Sequence, residues 1–156
     1  LILCDVSDSM SYAAGAGKRR IDHLRGALDQ VVRPEHVLIA FASSAKPFAT
    51  PADLPSPGGG TALELGFVEA MRFDPAATLV ISDGEPNVPA TALHAAEALP
   101  GTIDVIFCGE EANTEAVKFM RELARLGCGR YAYHSWVRQT GPQLADTMRL
   151  MLRGPG

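Results

Sequence analysis

The chain has 156 residues and a formal net charge of −4, which argues against a general nucleic-acid binder, since such proteins usually carry a basic excess. Hydrophobic residues make up 47% and charged residues 21%, the balance of a globular domain with a real core, and no apolar run approaches the roughly 20 residues that would insert across a bilayer. Residues 1–5 (LILCD) read as a buried strand. The chain opens at Leu1, without a methionine and already inside this run, so it is expected to be trimmed at its N-terminus. Residues 19–33 place Ile21, Leu24, Leu28, Val31 and Val32 at helical spacing, and Pro34 ends that helix. Residues 36–42 (HVLIAFA) form a second strand, and 46–50 (KPFAT) a short edge strand on which Pro47 is tolerated. Three prolines and three glycines make 51–60 (PADLPSPGGG) a loop without regular structure.

Helix returns over 61–73, with Leu63, Phe67, Ala70 and Met71 on one face. A strand at 77–82 (ATLVIS) runs into Asp83-Gly84, and an alanine-rich helix at 89–99 stops at Pro100-Gly101. A strand at 103–108, a helix at 113–126 closed by Gly127, a strand at 130–135 and a helix at 141–152 complete the order. Met148 and Met151 belong to the apolar stripe of the last helix, and Tyr133 and Trp136 read as packing residues. Strands alternating with helices predict one α/β domain: a three-layer, Rossmann-like sandwich with a mainly parallel sheet, one antiparallel edge strand and helices on both faces. There is no internal repeat and no second domain in this pattern.

In such a fold, ligands bind at the carboxyl ends of the strands. Three chemically loaded segments fall there. The first strand ends in Asp5-x-Ser7-x-Ser9, the 77–82 strand ends in Ser82-Asp83-Gly84, and the glycine-rich loop ends in Thr61. Two carboxylates and three hydroxyls form an all-oxygen set, the kind that hard cations such as Mg²⁺ take.

These segments resemble the von Willebrand factor type A (VWA) family. Its metal-ion-dependent adhesion site is written Asp-x-Ser-x-Ser, a distant Thr and a distant Asp. Asp5, Ser7 and Ser9 match the first element, Thr61 in GGGTAL the second and Asp83 in VISDGEPN the third, and the resemblance spans essentially the whole chain. It implies Mg²⁺ (or Mn²⁺) held by these five residues, with a Glu or Asp of a partner protein completing the shell. The residue between the two serines is commonly Gly in the family and is Asp8 here, which adds negative charge beside the site without removing a ligand.

Other readings are weaker. Ser7 and Ser9 could be turn formers, Thr61 an N-cap of the 61–73 helix, and Asp83 the start of a turn. Asp8 and Glu85 read as solvated neighbours. Gly15-Ala-Gly-Lys18 fails as a phosphate loop, because Tyr12 stands where the first Gly belongs and Arg19 where Ser or Thr belongs. Lys18, Arg19 and Arg20 are expected to form a solvated helix start or part of a partner surface. The four histidines show no zinc-type spacing. Cys4, Cys108 and Cys128 lack a Cys-x-x-Cys pair and read as reduced thiols of a cytoplasmic protein, with a Cys108–Cys128 disulfide as the minor alternative. Among functions, a Mg²⁺-dependent phosphohydrolase of the haloacid dehalogenase type would want Asp-x-Asp where this chain has Asp5-x-Ser7, and nucleophile, base and orienter cannot all be named. A VWA scaffold with a vestigial metal site is the remaining alternative. The expected function is therefore a non-enzymatic, metal-dependent protein-interaction module.

Overall fold

The computed structural model describes residues 1–153. Six strands form one sheet: β1 (Ile2–Asp5), β2 (Leu38–Phe41), β3 (Ala45–Phe48), β4 (Ala77–Ser82), β5 (Thr102–Phe107) and β6 (Cys128–Tyr133). Their spatial order is β3-β2-β1-β4-β5-β6. Every pair is parallel except β2 with β3, which run antiparallel at one edge, where Pro47 sits opposite Ile39. The helices are α1 (Arg20–Val31), α2 (Leu63–Met71), α3 (Pro89–Ala98), α4 (Thr114–Leu126) and α5 (Gly141–Leu152). None is long and apolar enough to cross a membrane among the described residues.

The period-2 alternation of strand side chains sorts the core into two layers. Ile2 and Cys4, Leu38 and Ala40, Leu79 and Ile81, and Ile106 pack with Leu24, Leu28, Leu144 and Met148 of α1 and α5. Leu3, Ile39, Phe41, Val80, Val105 and Phe107 face the other way, onto Leu63, Phe67, Ala92, Met120 and Leu123 of α2, α3 and α4. Each fully buried Leu, Ile or Phe contributes about 1.5–3 kcal/mol. A strand covered on both faces has no polar side, which is why β1 reads as an unbroken apolar run until Asp5.

Several boundaries differ from the sequence reading, each for a local reason. β2 starts at Leu38 instead of residue 36, because Arg33 N donates to His36 Nδ1 at 3.0 Å and closes a turn there. β6 covers Cys128–Tyr133 instead of 130–135; past Tyr133, Ser135 N donates to the Gln139 side chain at 2.8 Å and the chain turns. The 51–60 loop is not wholly irregular: Thr50 N and Oγ1 donate to Asp53 Oδ2 at 3.1 and 2.8 Å, holding a single 3₁₀ turn over Pro51–Asp53. Gly127 ends α4, but the left-handed residue is Cys128, with φ 53°. Gly127 is required for closeness, since a Cβ there would overlap Ile103 Cβ. All three cysteines are free, Cys4 and Cys108 buried and Cys128 exposed, so the disulfide alternative does not form.

Candidate functional site

The chain passes from β1 to one side of the sheet and returns through β4 on the other. This reversal makes the carboxyl ends of β1 and β4 the switch point of the sheet, where connections diverge. Asp5 is the last residue of β1 and Ser82 the last of β4, so the fold itself brings the two segments together.

Asp5 is completely buried. Its Oδ1 accepts a hydrogen bond from Ser7 N at 2.7 Å and its Oδ2 one from Ser82 Oγ at 2.6 Å. The first bond is the reason the loop doubles back immediately after the strand. A short 3₁₀ turn over Asp8–Ser11 follows, so that Ser9 Oγ donates to Asp83 Oδ1 at 2.7 Å and lies 3.4 Å from Ser7 Oγ. Asp5, Ser7, Ser9 and Asp83 thus form one hydrogen-bonded cluster that joins residues distant in sequence.

Thr61 enters differently. α2 begins at Leu63 with Ala62 in the N-cap position, so Thr61 is not the cap that the sequence suggested. Its N donates to Asn87 Oδ1 at 3.1 Å, and its carbonyl accepts from Asn87 N at 2.9 Å. No hydrogen bond among the described residues ties its hydroxyl to the other four. The glycine-rich loop is nevertheless laced to the β1 loop: Gly58 N donates to Val6 O at 2.9 Å and Asp8 N to Gly59 O at 3.0 Å. Gly59 holds φ +79° against Ser43, a conformation that disfavours any side chain. Asp8 and Glu85 are exposed at the rim.

Two contributors were not read as site residues. Ser82 donates to Asp5 Oδ2, and its place beside Asp83 at the end of an apolar strand was a usable signal. Arg20 is a correction: rather than lying in solvent, it sends Nη1 to donate to Asp83 Oδ2 at 2.9 Å, with 15% of its side chain exposed against 1% for Asp83. A separation of 63 residues left no trace of this pair in the sequence.

Charge is only partly balanced. Burial, together with the nearby Asp83 carboxylate, raises the Asp5 pKa to about 6. Burial and the same two carboxylates push the Cys108 thiol well up, so it stays protonated beneath the site. The described residues contain no group of three or more His, Cys, Asp or Glu that could hold a metal. A set of two carboxylates supplemented by hydroxyls lies outside that pattern. Such a set fits a hard divalent cation on chemistry: all donors are oxygens, each carboxylate oxygen keeps a further lone pair, and excess buried negative charge favours a cation.

No family model matches the sequence, and no curated protein does either. Solved structures share the fold. A von Willebrand factor type A protein from Catenulispora acidiphila superposes with a TM-score of 0.70 at 19% identity, over 96% of this chain and 40% of that one. An aerotolerance-related membrane protein from Bacteroides fragilis, a variant with multiple mutations to serines, gives 0.69 at 18%, over 97% and 96%. The SpRpn10 VWA domain gives 0.65 at 14%, over 94% and 92%. The chain therefore has the fold of VWA domains.

Proposed function

We propose that this domain is a protein-interaction module that holds Mg²⁺ or Mn²⁺ through Asp5, Ser7, Ser9, Thr61 and Asp83 and docks a Glu or Asp of a partner protein there. The observation that supports this most is the convergence of two buried carboxylates and two serine hydroxyls at the sheet's switch point, with Asp5 strained electrostatically by Asp83. When bound, the cation would supply an open coordination position for the partner's carboxylate. The protein's own part is to hold the donors in place: Ser82 and Ser7 N fix Asp5, Ser9 fixes Asp83, and Asn87 fixes the backbone at Thr61. Using few carboxylates and several neutral hydroxyls leaves the cation's charge incompletely neutralised, which favours an incoming acid.

One observation favours a second reading. The Arg20 guanidinium already sits on Asp83, as it would in a vestigial site whose metal has been replaced by a side chain. A thermal melt of metal-stripped protein titrated with Mg²⁺ and Mn²⁺ separates the two, because a ligand of the native state raises the melting temperature by mass action. The proposed function predicts a saturable rise that Asp5→Ala and Asp83→Ala abolish. A flat response at millimolar metal would support the vestigial site instead.

A further inference from the structure

Arg20 occupies a position that local rules disfavour. It is the first residue of α1, and a cation in the first turn opposes the helix dipole. Lys18 and Arg19 precede it and add like charge. What compensates is Asp83, whose carboxylate is almost wholly buried and takes a single guanidinium hydrogen bond from Nη1. The seat is incomplete: Arg20 Nε is buried without a hydrogen-bond partner among the described residues. In the same pose the guanidinium carbon lies 5.4 Å from the ring centroid of Tyr12, itself 55% exposed, a cation–π contact at the edge of the site. Arg20 is thus a charged group on a long side chain, held by one charged hydrogen bond to a carboxylate of the candidate centre and by the face of the Tyr12 ring.

We propose that Arg20 is a tethered counter-cation of this centre, holding Asp83 in the metal-free protein and competing with a divalent cation for that buried negative charge. The inference rests on the metal-binding reading above and adds to it a determinant of affinity. With Arg20 on Asp83, the two carboxylates and the guanidinium leave one net negative charge, so the metal-free protein escapes part of the cost of two buried acids. The guanidinium's charge repels a cation arriving at the same carboxylate, so Arg20 weakens cation binding.

The test is calorimetric titration of metal-stripped wild type, Arg20→Gln, Arg20→Lys and Asp83→Asn with Mn²⁺ at fixed ionic strength, with melting temperatures recorded in chelator. Arg20→Gln is expected to bind Mn²⁺ at least about tenfold more tightly than wild type, the factor corresponding to removal of one competing charged hydrogen bond. It should also melt lower than wild type in chelator, because Asp83 is left buried without its cation. Arg20→Lys keeps the charge but loses the fork, and is expected between the two. If Arg20→Gln does not fold, Arg20→Lys decides: tighter binding than wild type supports the competition, and equal or weaker binding overturns it. Equal affinity in wild type and Arg20→Gln, with Asp83→Asn silent, would overturn the competition while sparing the metal site. Weaker binding in Arg20→Gln would make Arg20 a supporting residue and also overturn it. If neither wild type nor Arg20→Gln binds Mn²⁺, the metal-binding reading itself fails and takes this inference with it.

Discussion

Asp5→Asn separates the charge of the site from its hydrogen bonds. Asp5 Oδ1 accepts from Ser7 N, a bond that the amide oxygen of Asn retains. Opposite Oδ2 stands Ser82 Oγ, which also lies 3.1 Å from the Gly84 carbonyl. The hydroxyl can turn its proton to that carbonyl and accept from the Asn amide, so no buried polar atom is orphaned. What disappears is the ionised carboxylate. Folding raises its pKa from 3.8 to about 6, an increase of about two units. At about 1.36 kcal/mol per unit, ionised Asp5 costs the metal-free fold about 3 kcal/mol at pH 8. The unfolded chain gives up this proton first as pH rises, so the Asp5 contribution is fully favourable below about pH 4 and is lost as pH passes 6. Metal-free Asp5→Asn should therefore be more stable than wild type by about 1–3 kcal/mol at pH 8, allowing for an imperfect amide fit, and the gain should vanish near pH 4. Urea unfolding in chelator at pH 4, 6 and 8 measures this. With saturating Mg²⁺ the order should reverse, because only wild type gains binding energy. A variant less stable than wild type at pH 8 in chelator, or a difference independent of pH, would refute the reasoning.

Three further outcomes follow from the same structure. Gly109→Ala places a Cβ over the Asp83 carbonyl oxygen and 2.5 Å from Phe107 Cε2, so unfolding experiments should show a loss above about 2 kcal/mol together with weakened metal response. Arg130 joins three elements, donating from Nη2 to Asp104 Oδ2 at 3.0 Å and to Met151 O at 2.8 Å; Arg130→Ala should cost about 2–3 kcal/mol in urea unfolding and raise hydrogen exchange at the end of α5. His134 is buried against Trp136 with no hydrogen-bond partner for either ring nitrogen among the described residues, and burial lowers its pKa to about 4. The unfolded chain protonates first, so wild type should lose stability relative to His134→Phe as pH falls from about 6.5 to about 4, and parallel pH curves for the two proteins would contradict this.

Much of the architecture was legible because the core is built from strands buried on both faces. An apolar run such as LILC can be little else when it ends in an acid and is followed by an amphipathic helix. The switch point was legible for the same reason: strand ends that carry Asp5 and Asp83 announce themselves by interrupting apolar runs. Boundaries were less so, since they were set by side-chain locks such as His36 on Arg33 N and Asp53 on Thr50, which compete with periodicity. Within the site, Ser82 was visible in principle from its place beside Asp83. Arg20 was not: a basic residue at a helix start looks solvated until the fold carries α1 past the β4 loop. Thr61 shows the opposite limit, since its motif position was plain while its role as an N-cap was overturned by a helix that starts two residues later.

The most direct test of the central claim is anomalous diffraction from crystals grown or soaked with Mn²⁺. Metal binding should give one strong peak bounded by Asp5, Ser7, Ser9, Thr61 and Asp83, with Arg20 withdrawn from Asp83. Crystals that show no peak there at millimolar Mn²⁺, with the Arg20–Asp83 pair intact, would contradict it.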